Sequence, residues 1–149
     1  MKSNIDVKLS DWHTHEELMR TLRTQVFIQE QQVPAALEWD GLDDDCTHVI
    51  AYWRQQAAGT ARLLDNGHIG RMAVLAPYRH KGIGSQMLNT LIDIARQRRL
   101  NRVYLHAQTA AIKFYEKHQF SIISQPFMDA GIPHVTMELT LKNAPDRQP

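Results

Sequence analysis

Residues 71–85 read RMAVLAPYRHKGIGS. Arg71 to Leu75 ends a β-rich run that begins at His68, Pro77 stops it, and glycines 82 and 84 open a helical pattern. That pattern puts Ile83, Met87, Leu88, Leu91, Ile92 and Ala95 on one face. A strand entering a helix through a glycine turn gathers unpaired backbone N–H groups at one point, and the helix dipole adds positive charge there. This geometry suits a phosphate. Gly82 and Gly84 permit unusual backbone angles and let an anion approach the amides, with Arg79, His80 and Lys81 at the rim. The plainer reading is a glycine turn packed on a neighbouring strand with solvated basic residues. The phosphate loop G-x-x-x-x-G-K-[ST] is absent, and the spacing does not fit a dinucleotide fingerprint.

The remaining pattern surrounds this turn. Ile5, Val7 and Leu9 alternate with polar residues as a first strand. Thr14 to Glu17 matches a capping box, and Leu18, Leu22 and Val26 follow at helical spacing, widened by Met19 and Phe27. Pro34 interrupts, and Glu38 to Asp45 reads as an acidic loop. Thr47–Trp53 and Gly59–Leu64 are strands, and Asp65-Asn66-Gly67 is a hairpin signal before the strand at His68. Val103–Ala107 is a further strand, Ala110–His118 a short helix, and Phe120–Ile123 and Val135–Leu141 late strands. The tail 143–149 carries no apolar pattern and is expected to fray. The order β-α-β-β-β-α-β-α-β-β is a mixed α/β layout, with strand four, its helix and strand five forming a right-handed βαβ unit.

Bulk properties narrow the function. At 149 residues the chain suits one domain over 1–149 with one sizeable core. Seventeen Lys and Arg against sixteen Asp and Glu leave a formal charge of +1, which gives no general pull toward nucleic acid or an anionic membrane. The basic cluster Arg96, Arg98, Arg99 and Arg102 ends a helix, where cations are favoured anyway. The lone Cys46 rules out an intramolecular disulfide framework, and nothing nearby is built to activate it as a nucleophile. His13-x-His15 is weak as a metal site, so no metal is expected. The N-terminus lacks a signal-peptide core and no apolar run spans a bilayer, so a cytoplasmic location is expected.

Two blocks carry a family resemblance. Val74-Leu75-Ala76-Pro77-Tyr78-Arg79 running into Arg79-x-x-Gly82-x-Gly84 resembles the acetyl-CoA signature of the GNAT (GCN5-related) N-acetyltransferases, Q/R-x-x-G-x-G/A after a strand with V-x-P-x-x-R. Ala111 to Phe120 (AIKFYEKHQF) looks like the family's A-x-x-F-Y-x-x-x-G-F. Together they cover roughly the last half of the chain. Phe27 to Pro34, followed by Glu38-x-Asp40-x-x-Asp43, is similar to the bacterial ElaA/YjcF-like branch.

The resemblance implies a central, mostly antiparallel sheet of six to seven strands, with strands four and five parallel but splayed and about four flanking helices. It implies acetyl transfer from acetyl-CoA to an amine without a covalent enzyme intermediate. Met72, Ala73 and Val74 would offer backbone to the pantetheine arm, and Arg79, His80, Lys81, Gly82, Ile83, Gly84 and Ser85 would hold the pyrophosphate. Val74 N–H is a candidate oxyanion partner, and Tyr115 is the candidate general acid and a cofactor contact. Gln108 stands where Asn is common beside the pantetheine, and Gln119 where the family has Gly. Glu30 and His134 are candidate bases, and Glu30, Glu38, Asp40 and His134 candidate acceptor-binding residues. The acidic run reads either as a solvated loop or as a rim that attracts a cationic amine. A small-molecule or protein amine is the expected partner, with no nucleic acid or membrane and with a homodimer left open. A non-catalytic acyl-CoA-binding or sensor module is the alternative.

Overall fold

The computed structural model describes residues 3–141, so the expected fraying at 143–149 lies outside the described residues. Strands β1 (Ile5–Ser10), β2 (Thr47–Trp53), β3 (Gln56–Leu63) and β4 (Ile69–Val74) form an antiparallel sheet in that order. Strands β5 (Arg102–Gln108), β6 (Ser121–Ile122), β7 (Phe127–Asp129) and β8 (Ile132–Thr140) form a second, with β8 central and antiparallel to the other three. The helices are α1 (Trp12–Arg23), α2 (Ala35–Glu38), α3 (Ile83–Gln97) and α4 (Ile112–Lys117). The eight strands thus lie in two sheets and not in one of six or seven. β7 is the added strand, missed because Gln125-Pro126 hides a three-residue element.

The two sheets meet at one parallel bridge, His68 to Tyr104. The Tyr104 amide donates to the Gly67 carbonyl at 3.0 Å. Gly67 has φ +94°, and a Cβ there would stand 2.6 Å from the Arg102 carbonyl, so glycine is required where the sheets touch. Beyond the bridge β4 and β5 are edge strands of separate sheets. The core fills the angle between them: Met87, Leu88, Leu91 and Ala95 of α3 pack with Val49, Leu63, Val103 and Met137 from both sheets. The predicted apolar face of α3 is the buried one, residue for residue.

The start of α1 differs from the expected capping box. Asp11 is the cap, its Oδ1 accepting from the Thr14 amide at 2.7 Å. That amide is therefore unavailable to Glu17, and the helix kinks at His15. After Arg23 the helix continues as a π-helical turn, Thr24–Glu30.

The acidic segment is not a solvated loop. Arg23 is 1% exposed, donating from Nε to Glu38 at 2.8 Å and from Nη1 to Asp43 at 2.7 Å. Arg62 reaches Asp43 at 2.9 Å and also pairs with Asp40, which Arg71 contacts at 3.1 Å. Three guanidiniums and three carboxylates so tie residues 38–43 to α1, β3 and β4. Trp12 and Trp39 lie against Arg23, with the guanidinium 5.5 and 5.0 Å from their ring centroids.

Two outcomes follow. Arg23→Ala leaves Glu38 and Asp43 short of their buried partner and is expected to destabilise the fold by about 3–5 kcal/mol, read by urea denaturation. Burial, helped by His106, pulls His68 down to about 4. An unfolded histidine titrates near ~6.5, so between the two values the unfolded chain holds the extra proton and stability rises with pH. The contribution is full above about pH 6.5 and is lost as pH falls toward 4. His68→Phe keeps the stack on Tyr104 (4.7 Å, 12°) and removes the titration, so its stability should vary less across this window. An unchanged slope assigns the acid sensitivity to the buried His48 instead.

Candidate functional site

The turn after β4 presents unbonded backbone amides, and its two glycines differ in conformation. Gly82 is left-handed at φ +89°, which its neighbour His80 also adopts at φ +64°. Gly84 has ordinary helical geometry, so conformational freedom is not its role. A Cβ there would make ordinary contact with the Phe114 ring, at 3.4 Å. The first amide bonded within α3 is Gln86, to the Gly82 carbonyl at 3.1 Å, so the amides of Ile83, Gly84 and Ser85 have no partner inside the helix. Lys81 is exposed with its ammonium 4.8 Å from the Trp53 ring centroid. Ser85 Oγ lies 3.0 Å from His118 Nε2.

Arg79 has partners on both sides of the turn. Both ends of its guanidinium fork donate to the Glu30 carboxylate at 2.6 Å, and its Nε donates to the Val74 carbonyl at 2.9 Å. Those hydrogen bonds hold the Glu30 carboxyl below the usual carboxylate range. Glu30 is thereby a weak base, which counts against its assignment as a proton acceptor.

Between the parted strands lies a cleft of about 440 Å³. One wall comes from β4 (Arg71, Met72), another from β5 and α4 (His106, Gln108, Tyr115), a third from the β7–β8 turn and β8 (Asp129, His134) and the last from residues 27–40 (Gln31, Glu38, Asp40). Met72, Gln108, Tyr115, Glu38, Asp40 and His134 are thus brought together; the turn 79–85 lies beyond the end of β4. Arg71 sits at a bulge, φ +49°, where the β3–β4 register shifts. Leu75 N–H bonds back to the Ala58 carbonyl, so alternation turns the polar groups of Val74 away from β3 and toward β5.

Tyr115 faces Met72 across the cleft, its hydroxyl 3.9 Å from the sulfur, and burial pushes it up to about 12. It stays a donor at neutral pH. Gln119 takes the turn where glycine was expected at φ +74°, and Phe120 N–H still reaches the Tyr115 carbonyl at 3.1 Å. His134 Nδ1 is 2.7 Å from the Ile132 carbonyl, which fixes that nitrogen as the donor and leaves Nε2 an acceptor. A chain of rings, His68, His106, Phe127 and His134, runs beside it at centroid spacings of 4.8, 5.4 and 5.9 Å.

The two acids expected at the acceptor site are neutralised. Burial raises Glu38, ahead of the opposing pull of Arg71 and Arg23. Asp40 feels burial too, but hydrogen bonds from Arg62 and the Leu42 amide prevail and hold it at about 2. Three arginines balance these two carboxylates and Asp43, so the cleft-lining part of the segment is charge-compensated, while Asp44 and Asp45 stay exposed. Burial lifts the Cys46 thiol to about 11, which removes it as a nucleophile. Arg98 donates to Thr47 and Arg102 pairs with Glu138 at 2.7 Å, so these two of the basic cluster are engaged within the fold. Among the described residues no cluster of three His, Cys, Asp or Glu has the arrangement of a metal site, and no helix is long and apolar enough to cross a membrane.

A family model for the acetyltransferase (GNAT) domain matches residues 10–141. YyaT of Bacillus subtilis is 40% identical over 129 residues, 83% of this chain and 86% of that one. The N-acetyltransferase YjcF of the same organism is 37% identical over 120 residues, 78% and 86% of the two chains. Among solved structures, an acyl-CoA N-acyltransferase from Pseudomonas aeruginosa superposes with a TM-score of 0.80 at 29% identity, covering 90% of this chain and 98% of its own. The splayed strands, the glycine turn and this similarity along nearly the whole length lead to one conclusion: the chain belongs to the GNAT acetyltransferase family, in its bacterial ElaA/YjcF-like branch.

Proposed function

We propose that this chain moves an acetyl group from acetyl-CoA to a primary amine by direct attack within a ternary complex. The observation that carries the reading is the outward edge of β4, which faces the Tyr115 hydroxyl across the cleft at Met72 and runs on through Val74 to an amide-lined turn. The amides of Ile83, Gly84 and Ser85, with Lys81 nearby, suit the pyrophosphate. The free edge of β4 between Met72 and Val74 suits the amide-bearing pantetheine arm, which binds as an added strand would.

In this reading the amine nitrogen attacks the thioester carbon and the C–N bond forms. The carbonyl oxygen takes the negative charge, which Val74 N–H stabilises. The C–S bond then breaks, and Tyr115 donates its proton to the departing sulfur and regains one from solvent. His134 Nε2 accepts the proton that the amine must shed, directly or through water. His134 suits this role better than Glu30, because its tautomer is fixed and its acceptor nitrogen has no partner among the described residues. The acceptor enters along the wall of residues 27–40 and the β7–β8 turn. A panel of polyamine, amino acid, aminosugar and peptide amines, read by free thiol, identifies it; binding without turnover on every member favours the sensor alternative.

Two variants test the reading. Gly84→Asp puts a negative charge where the pyrophosphate lies and should weaken acetyl-CoA binding by roughly 100-fold or more, from repulsion between close anions. Gly84→Ala, with its Cβ only in contact with Phe114, should lose far less. Equal affinities in calorimetry would refute the turn assignment. Tyr115→Phe keeps the ring packing and removes the donor, so kcat should drop roughly 10²–10⁴-fold while acetyl-CoA affinity barely changes. A folded Tyr115→Phe protein with wild-type turnover makes Tyr115 a packing residue.

A further inference from the structure

Glu30 and Gln31 are neighbours in sequence, yet they bind opposite sides of the splay. Glu30 grips the guanidinium of Arg79 through two 2.6 Å bonds, and that arginine holds the Val74 carbonyl at 2.9 Å. Gln31 Oε1 accepts from Gln108 Nε2 at 2.9 Å, at the last residue of β5. One bonded path therefore runs Val74, Arg79, Glu30, Gln31, Gln108. It crosses from the edge of β4 to the end of β5, in the region where the strands no longer pair with each other. The two residues sit where the π-helical turn ends, and Gln32 follows in a left-handed conformation at φ +60°. A π-helical turn inside a helix is a feature that recurs at functional sites. Here it ends on the pair that holds both strands.

We propose that Glu30-Gln31 is a clamp that sets the separation of β4 and β5 and fixes the outward carbonyl of Val74. Glu30 is thus a positioning residue that acts through Arg79 on Val74, the residue whose N–H faces the thioester in the proposed reaction. This rests on the acetyl-transfer reading above. An exposed ion pair contributes little to stability by itself. A two-pronged carboxylate–guanidinium pair, by contrast, fixes direction, and the carbonyl it fixes belongs to the residue whose N–H, one peptide unit earlier, is the oxyanion partner in this reading.

The test is a double-mutant cycle of Glu30→Gln and Arg79→Gln, with Gln31→Ala as an independent break at the β5 end. Glu30→Gln and Gln31→Ala should each lower kcat roughly 10- to 100-fold, the scale of a small misplacement at the reacting centre. The Glu30→Gln/Arg79→Gln protein should be no slower than the slower single variant, and the pH–rate profile should keep its shape. Independently of turnover, hydrogen exchange without cofactor should quicken at residues 72–76 in Glu30→Gln and at 105–108 in Gln31→Ala. Additive losses, a lost acid limb in the pH profile, or unchanged exchange would each overturn the clamp. Calorimetry with acetyl-CoA on the wild-type protein separates the two levels. Absence of binding removes the acetyl-transfer reading and the clamp with it, whereas binding and turnover with unaltered variants remove the clamp alone.

Discussion

One parallel bridge, His68 to Tyr104, joins two sheets that otherwise go separate ways. A parallel pair normally continues for several residues, and its backbone groups are then satisfied within the sheet. Here the partnership stops after one bridge, and every outward N–H and C=O of β4 past Gly70 needs another partner or an open space. The bulge at Arg71 bends the strand away from the line it began on. The result is a slot whose one wall offers the unpaired edge of β4 with Arg71 and Met72, and whose other wall carries side chains of β5 and α4. In this fold, the cleft is built from a pairing that was begun and not completed.

A slot between two sheets needs lateral support, and the acidic segment supplies part of it. Residues 38–43 contribute three carboxylates that meet arginines from α1, β3 and β4. No single pair in such a network is a strong argument for stability, because desolvation offsets the attraction. What the network does supply is direction. Each arginine is held by more than one acceptor, so the segment can dock on the sheet in one way only. The charges cancel in place, which leaves the cleft wall polar without making it a strong attractor for every cation. The polar groups left facing the cleft are individual donors and acceptors, the imidazoles of His106 and His134 among them.

How much of this could be read in the chain divides by the range of the interaction. The α3 face, the strands at 47–53 and 102–108 and the glycine turn were legible, because period and local turn chemistry decide them. The helix cap was misplaced because Thr14-x-x-Glu17 and Asp11-x-x-Thr14 both have cap spacing, and the aspartate, one turn earlier, took the amide first. The burial of Glu38 and Asp43 was not legible: a run of acids reads as solvated until arginines 15 to 33 residues away close on it. The positive φ at Arg71 left no local mark either, since nothing about arginine favours a bulge. Among the site residues, Met72, Tyr115, Gln108 and His134 do line one cleft. Arg79 and Glu30 were picked for separate tasks and turned out to be each other's partners.

That pairing explains a choice left open by the family pattern, which accepts either Gln or Arg at the position of Arg79. The last outward carbonyl of an edge strand has no ladder partner, and a donor five residues later, returning through the turn, can satisfy it. A glutamine amide reaches that far and ends there. An arginine satisfies the carbonyl from Nε and still has two N–H groups on the opposite side of the same rigid plane. Those two groups have the spacing of a carboxylate, so an arginine in this position creates a demand for an acid across the mouth of the slot. Glu30 meets it at 2.6 Å on both prongs. In this chain the one side chain therefore serves the strand and links it to the segment that ends the π-helical turn.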